Sequence, residues 1–396
     1  MDFNNRSVDS PTPKKDVNMG GKLASRDYGA AIISLIGTRG PMSRSDVARE
    51  LGVSPATVTN ATKALLSQGA LVESGARPSN GGRPRVLLDV VQHRRYALGV
   101  KLTPNHLTMA EVDINGTPFP GLSINLDMRA PEAFARITDA VRTQVRDRTG
   151  VLLGIGLAIP GYSDPKNPDV VTAPTLGWNA INLGQALREA TGLPVIIDND
   201  VNTLAVADRL YGDNQADESL LITIGYGIGA AITTGGRVLR GAHGGAGELG
   251  HSMIQTTDIQ CACGLRDCLE TLISDNALVR RARQNGSLEA HEGKDRLNRL
   301  AEAGHPGARA LFHDAGTSLG LAVANVVHLF DPQTITISGE GVDMWHHWEA
   351  GFLEGLRARI PENRRTTPIS VHHWTDDTWA HGAASLVFAA PLAYRD

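Results

Sequence analysis

The chain has 396 residues, of which 41% are hydrophobic and 20% charged, and its formal net charge is −4. This length predicts two or three domains, and the composition excludes a chain that is disordered throughout. No apolar run approaches the roughly 18 residues of a membrane span. The three cysteines are too few for a disulfide scaffold. We therefore expect a cytoplasmic protein with no membrane partner.

Charge is unevenly distributed along the chain. Residues 1–95 hold 14 Lys and Arg against 8 Asp and Glu, whereas the remainder holds 24 against 34. A basic N-terminal region on an acidic body favours binding of that region to a polyanion. The alternative is a chance imbalance between two ordinary domains.

The N-terminal region divides into a tail and a small domain. Residues 1–22 are polar and without periodicity, which predicts a disordered tail. Residues 23–92 show three helical stretches, the last of them capped by Ser54. Two short strands, 71–73 and 85–89, then flank a loop rich in glycine and proline.

This order of elements is typical of a winged helix-turn-helix, whose recognition helix enters the major groove of double-stranded DNA. The residues expected to face an operator are small or polar on that helix and basic in the wing. They are Ser54, Ala56, Thr57, Thr59, Asn60, Lys63, Arg77, Arg83 and Arg85. The alternative is a helical domain that contacts other proteins.

From residue 93 onwards, short strand-like runs alternate with helical stretches, which predicts an α/β fold. The expected strands are 96–100, 108–113, 151–158, 195–198, 219–224, 229–233 and 334–338. Alternate glycines at 225–229 can bring the backbone close to a phosphate, or can form a plain tight turn. Asn199 and Asp200 follow a strand, where they can bind hydroxyl groups or cap a helix.

All three cysteines, Cys261, Cys263 and Cys268, fall within one short segment. Thiolates bind Zn²⁺ strongly, and three of them with one histidine complete a closed, structural tetrahedron. We expect His251 to be the fourth ligand, with His243 as its rival. A redox-active cysteine cluster is the alternative.

A zinc ion bound to one imidazole nitrogen of His251 would leave the other nitrogen for a ligand. Glu248 lies three residues before His251, and Glu270 comes just after Cys268. We expect these side chains to converge with Asn199 and Asp200. Such a set of hydrogen-bonding groups suits a polyhydroxylated molecule such as a sugar.

These motifs resemble those of the ROK family (repressors, open reading frames and sugar kinases). The segments that carry the resemblance are 225–229, 240–251 and 261–270, and the basic N-terminal domain matches the repressor branch. The resemblance implies a two-lobed actin/hexokinase-like (ribonuclease H-like) α/β domain over 93–396, with a sugar in the cleft between the lobes.

The resemblance also implies domain limits and residue roles. One lobe would span about 93–197 together with a C-terminal helix near 379–393, and the other about 198–375. The implied sugar-binding residues are Gly161, Asn199, Asp200, Glu248, His251 and Glu270, with Asp200 at the position of the catalytic base. The implied zinc ligands are His251, Cys261, Cys263 and Cys268.

The chain departs from the kinases of this family in the loop that holds ATP. Those kinases have Asp-x-Gly-Gly-Thr after the first strand, where this chain has Lys101 for Asp and Thr103 and Pro104 for the glycines. Tyr226 replaces a usual threonine, and Glu340 follows Gly339 in a later glycine pair. We therefore predict that the ATP site is lost, that the sugar site is kept, and that the protein is not an enzyme.

We predict a sugar-responsive transcriptional regulator, a repressor by family analogy. It would bind an operator as a homodimer or homotetramer, contain structural zinc, and respond to a sugar or sugar phosphate. The alternatives are an active ATP-dependent sugar kinase with a DNA-binding head, a zinc sensor, and a head that binds proteins. The sugar and the operator sequence stay open.

Overall fold

The structure is a computed structural model that describes residues 25–77, 84–91, 95–146, 150–212, 216–373 and 376–392. The tail expected at 1–22, the wing residue Arg83 and the side chain of Arg77 lie outside this description.

The N-terminal domain, called the head below, has the predicted winged helix-turn-helix order. Its elements are α1 (Ser25–Arg39), β1 (Met42–Ser43), α2 (Arg44–Leu51), α3 (Pro55–Ser67), β2 (Leu71–Arg77) and β3 (Arg85–Val90). Gly52, at φ 65°, ends α2 in the left-handed conformation that glycine adopts readily. The hydroxyl of Ser54 accepts the N–H of Thr57 at 3.1 Å and begins α3. The strands form a sheet in the order β1-β3-β2.

The first lobe is a five-stranded mixed sheet with helices. Its elements are β4 (Arg95–Leu102), β5 (His106–Asp113), β6 (Leu122–Asn125), α4 (Ala133–Arg146), β7 (Val151–Ile159), β8 (Tyr162–Asp164), β9 (Asn167–Ala173), β10 (Trp178–Asn182), α5 (Leu183–Thr191) and β11 (Val195–Asn199). The main sheet has the order β11-β7-β4-β5-β6, and β10-β9-β8 form a smaller sheet. β4, β7 and β11 are parallel, so their carboxyl ends meet at one edge.

The second lobe repeats the plan of a five-stranded mixed sheet with helices. After the connecting helix α6 (Asp200–Tyr211), its elements are β12 (Ser219–Ile224), β13 (Ile228–Thr234), β14 (Arg237–Val238), α7 (Glu270–Ile273), α8 (Asp275–Gln284), α9 (Lys294–Glu302), α10 (Pro306–Phe330), β15 (Thr334–Ser338), α11 (Trp345–Arg357) and β16 (Ile369–Val371). The strand order is β14-β13-β12-β15-β16. This mixed α/β architecture confirms the predicted fold class. None of the described helices is long and apolar enough to cross a membrane.

The last helix, α12 (Asp376–Ala389), returns to the first lobe. A Cβ on Gly99 in β4 would collide with the carbonyl oxygen of Ala380, and one on Gly156 in β7 with that of Ala383. Only glycine permits this close approach of helix and sheet. The helix therefore lies directly on the strands that lead into the cleft.

The head and the first lobe share one hydrophobic core. Ile36 of α1, Leu88 of β3, Val112 of β5 and Phe388 of α12 are all completely buried in the same cluster. Gly37 of α1 packs against the side chain of Ile114 so closely that a Cβ would overlap it. A movement of α12 or β5 would therefore displace side chains at the base of the head, because the shared core is close-packed.

Candidate functional site

The three cysteines and His251 form a compact cluster of metal-binding atoms. The Sγ atoms of Cys263 and Cys268 are 3.7 Å apart, and Sγ of Cys261 lies 3.7 Å from Nδ1 of His251. All four donor atoms lie within 4.8 Å of one another. Donors at about 2.3 Å from a tetrahedral zinc ion are about 3.7 Å apart. The set fits such an ion, and among the described residues it includes His251 rather than His243.

The segment that carries the cysteines is closed by its own hydrogen bonds. The N–H of Gly264 donates to the carbonyl of Cys261 at 3.0 Å, and the N–H of Cys261 to that of Leu265 at 2.8 Å. Oδ1 of Asp267 accepts two further backbone N–H groups. Burial raises the pKa of the Cys268 thiol to about 12. A thiolate at Cys268 therefore needs a cation beside it.

His251 links the metal cluster to the carboxylates of the cleft. Its Nδ1 faces the thiols, whereas its Nε2 lies 3.7 Å from Oε2 of Glu248. Partial burial raises the pKa of Glu248; His251 opposes this shift, and the carboxylates of Asp200 and Glu270 add to it. Oε2 of Glu270 accepts the N–H of Ile228 at 3.2 Å. The structure thus brings these four predicted residues, three carboxylates and an imidazole, close together, and the space beside them is called the cleft below.

Asn199 connects the cleft to the first lobe. Its Oδ1 caps α6 by accepting the N–H groups of Val201 and Asn202 at 2.9 and 3.3 Å. Its Nδ2 donates to the carbonyl of Gly161 at 3.0 Å. Gly161 itself has no room for a Cβ beside the carbonyl of Thr172. Helix cap and ligand-binding residue are compatible roles for Asn199, because Nδ2 carries a second hydrogen.

Lys101 is buried in the cleft as the ion-pair partner of Asp200. The side chains of Lys101 and Asp200 are 7% and 15% exposed. Nζ of Lys101 also lies 4.4 Å from the ring centroid of Trp379, within cation–π distance. Strand β4, helix α6 and helix α12 therefore meet at one ammonium group. Lys101 stands where the kinases of the family have a metal-binding Asp. Its positive charge neutralises Asp200, which is at the position of the catalytic base.

In the turn after β4, backbone groups form hydrogen bonds with other groups of the protein. The N–H of Thr103 donates to the carbonyl of His106 at 3.0 Å, and Pro104 has no N–H. Oγ1 of Thr103 accepts the N–H of His106 at 3.2 Å. The carbonyl of Pro104 accepts the N–H of Met128 at 3.0 Å. These contacts hold the turn closed.

Two carboxylates approach the glycine loop between β12 and β13. A Cβ on Gly225 would collide with Oε2 of Glu340, and one on Gly227 would lie 2.9 Å from Oε2 of Glu270. Tyr226, between these glycines, is 60% exposed. The space that the glycines leave is therefore occupied by acidic side chains.

Asp198 and Arg240 form a positioning contact that the sequence analysis misses. Nε and Nη2 of Arg240 lie 2.8 and 2.6 Å from Oδ2 of Asp198, whose side chain is 8% exposed. Oδ1 of Asp198 accepts Nδ2 of Asn202 at 2.9 Å. The pair ties the segment before Glu248 to the strand before Asn199. A carboxylate at the end of an apolar strand is the only local signal, because its partner is 42 residues away.

In the head, the predicted DNA-facing side chains of α3 share one surface. The exposed ones are Ala56, Thr59, Asn60 and Lys63. Val58 on the opposite side is completely buried. The hydroxyls of Ser54 and Thr57 are 2.8 Å apart at the start of the helix. Arg85 is exposed on the wing, with Nη1 3.6 Å from Oδ1 of Asp46.

A separate cavity of about 670 Å³ lies on the first lobe, lined by residues that include Arg129, Phe134 and Trp178. It contains none of the predicted site residues, so the chemistry of the cleft does not extend into it.

The chain is similar to known proteins in sequence and in fold. A model of the ROK family matches residues 128–390. The xylose repressor of Caldicellulosiruptor bescii is 28% identical over 380 residues, which span 90% of this chain and 94% of the relative.

Two solved structures differ in how much of the chain they cover. A ROK family transcriptional regulator, a homolog of the E. coli MLC protein, matches with a TM-score of 0.80 and 26% identity, over 94% of this chain and 99% of that chain. A ROK family glucokinase from Streptomyces griseus, in complex with glucose and AMPPNP, matches with a TM-score of 0.65 and 25% identity, over 74% of this chain and 98% of that chain. Because the family model covers well over half of its length, this chain belongs to the ROK family.

Proposed function

We propose that this protein is a sugar-responsive transcriptional repressor. The observation that carries the proposal is the extent of the likeness. The transcriptional regulator matches 94% of the chain, whereas the glucokinase matches 74%. A relative named as a xylose repressor matches 90%. The likeness to a regulator therefore extends over more of the chain than the likeness to a kinase.

The head would bind double-stranded DNA through α3 and the wing. Small and polar side chains on the exposed face of α3 can reach base edges, and Lys63 and Arg85 can reach phosphates. A dimer would place two such helices in successive major grooves of a palindromic operator. The cytoplasm is the compartment where such a protein meets its operator.

The cleft would bind the effector sugar. Carboxylates of Asp200, Glu248 and Glu270 accept hydrogen bonds from hydroxyl groups, and Asn199 and His251 add donor capacity. The effector can change operator affinity only through its own difference in affinity for two conformations. A tenfold loss of operator affinity requires about 1.4 kcal/mol of such coupling.

Zinc would hold the ligand-binding face of His251 in place. The donor set of three thiols and Nδ1 suits Zn²⁺, and coordination through Nδ1 leaves Nε2 facing Glu248. The role would be structural, because four protein donors complete a tetrahedron. In the alternative, a zinc sensor, operator affinity would follow free zinc across a physiological range.

We also propose that the protein does not transfer phosphate from ATP. The turn at Thr103 and Pro104 offers few N–H groups to a phosphate, and Lys101 pairs with the base that a kinase would need free. Phosphoryl transfer depends on positioning of the nucleotide and on charge stabilisation. An ATP-coupled assay over a sugar panel tests this: turnover of ordinary kinase magnitude would establish the rival, an active sugar kinase.

The main experiment measures operator binding with and without sugar. Full-length protein should shift a DNA fragment from its own promoter region, with an affinity that falls as salt rises. One sugar of a panel should release the DNA. Absence of salt-dependent DNA binding would favour a head that binds proteins, and DNA binding indifferent to every sugar and sugar phosphate would remove the regulatory proposal.

A further inference from the structure

We propose that the cleft selects an uncharged monosaccharide and rejects sugar phosphates. The inference rests on the proposed function and names its effector class, which the family resemblance leaves open between free and phosphorylated sugars. It depends on how the charges and the backbone N–H groups of the cleft are already used.

Lys101 is the cation best placed to hold a phosphate, and it is not available. Its side chain is 7% exposed, its Nζ pairs with Asp200, and the ring of Trp379 lies 4.4 Å away. A phosphate could reach this ammonium only by displacing a carboxylate that is itself largely buried. The displaced charge would then lack a partner in a site of low dielectric.

Among the residues that the structure describes, Arg240 and Lys294 also contact segments of the cleft, and both are paired with carboxylates. Arg240 donates Nε and Nη2 to Asp198 and Nη1 to the carbonyl of Val238 at 3.2 Å. Nζ of Lys294, beside the backbone of Glu340, lies 2.7 Å from Oδ2 of Asp275. Each charge is therefore already partnered by a carboxylate, and a phosphate would have to compete with Asp198 or Asp275 for charge-assisted hydrogen bonds.

The backbone N–H groups that commonly hold phosphate are also in use. The start of α6 faces the cleft, but Oδ1 of Asn199 accepts the N–H groups of Val201 and Asn202. Oδ1 of Asp200 adds a second acceptor for Val201 at 2.9 Å. These caps occupy two of the N–H groups at the start of α6, which leaves fewer donors for an anion.

The side chains that the cleft does present are negatively charged. Asp200, Glu248, Glu270 and Glu340 surround it, and Glu340 reaches the glycine loop at Gly225. A phosphate dianion would be repelled by these carboxylates, whereas neutral hydroxyl groups donate hydrogen bonds to the same oxygens.

The test is calorimetric titration of the full-length protein with a panel of aldoses, ketoses and N-acetylhexosamines, each beside its terminal phosphomonoester. We expect a free sugar to bind, and its phosphorylated form to bind about tenfold or more weakly, since juxtaposed like charges are costly. Equal or tighter binding of the phosphorylated form would overturn this inference and leave the proposed function standing. If no member of the panel binds, the proposed function fails, and this inference with it.

A variant assigns the selectivity to the carboxylates. Glu340→Gln removes one negative charge beside the glycine loop, so it should raise the affinity for the phosphorylated sugar relative to the free sugar several-fold. Glu349→Gln makes the same change on an exposed position of α11 and should leave that ratio as it is. The same ratio in Glu340→Gln as in Glu349→Gln would show that Glu340 does not exclude phosphate, against the proposal.

Discussion

At the scale of single residues, the ion pair Lys101–Asp200 joins β4 to the start of α6. Both side chains are mostly buried, at 7% and 15% exposure. Removing one partner of such a pair leaves a buried charge without compensation, whereas replacing both partners by neutral groups is often close to neutral in stability. The pair therefore contributes to stability mainly as a unit.

We expect Lys101→Met to lower the free energy of unfolding by about 3 kcal/mol, because it leaves Asp200 unpaired. Adding Asp200→Asn should recover most of this loss. Denaturant unfolding of the wild type, both single variants and the double variant measures the coupling directly. Losses that simply add in the double variant would mean that the two groups do not interact.

Asn199→Ala should abolish the sugar response and leave operator binding intact. The change removes the cap of α6 and the hydrogen bond to Gly161, so stability should also fall by about 1 kcal/mol. Fluorescence anisotropy of operator DNA with and without sugar is the measurement. Asn182→Ala is the matched control, because Asn182 precedes α5 without capping it through its side chain. Normal induction in Asn199→Ala would exclude Asn199 from the site.

At the scale of elements, the segment from Glu248 to Glu270 has little regular structure and is held at the cysteine cluster. Between the short strand β14 and helix α7 it contains one 3₁₀ turn, Leu249–His251. Its fold therefore depends on a few backbone hydrogen bonds and on the four donor atoms gathered at the cysteine cluster.

Cys268→Ser should lose bound zinc and the sugar response while the head still binds operator. Since burial raises the pKa of Cys268 to about 12, zinc has to displace a proton, and its retention should decrease as the pH is lowered. Metal analysis after dialysis at several pH values and operator binding at buffered zinc concentrations are the measurements. A zinc-free protein with full sugar response would contradict the structural role.

Helix α3 is the second element that a variant can isolate. Lys63→Ala should weaken operator binding and reduce the slope of affinity against salt by about 1, as expected for one lost phosphate contact. Lys166→Ala, on an exposed turn of the first lobe, should change neither quantity. Salt titrations of both variants measure this, and identical slopes would exclude Lys63 from the interface.

At the scale of the whole molecule, α12 connects the cleft to the head. Trp379 near its start lies against Lys101, and Phe388 near its end is buried with Ile36 of the head. A ligand that changes the contacts around Asp200 can therefore shift α12. Because α12 is packed against the head, this shift would reach the head.

Phe388→Ala should lower the free energy of unfolding by about 3–5 kcal/mol and loosen the attachment of the head. Phe352→Ala removes an equally buried ring in the core of the second lobe and serves as the control. Hydrogen exchange should show faster exchange in α1 for Phe388→Ala alone. Equal loss of α1 protection in both variants would mean that the head is not coupled through α12.

Local features were predictable because short-range spacing determines them. Strands β12 and β15 have the predicted limits, and Ser54 caps α3 as expected. The cysteine cluster was recognisable because its thiols are neighbours in the sequence. Strands as short as β14 and β16 were missed, since two or three residues are too few to show a period.

Contacts across the fold depend on tertiary structure. Lys101 and Asp200 are 99 residues apart, and no periodicity or spacing relates them. The sequence by itself determined which chemical groups the protein carries: the thiols, the carboxylates, and a lysine in place of an aspartate. Only the packing of parallel strands and of α12 on glycines decided that this lysine neutralises the predicted base, because strand order brings distant residues to one sheet edge.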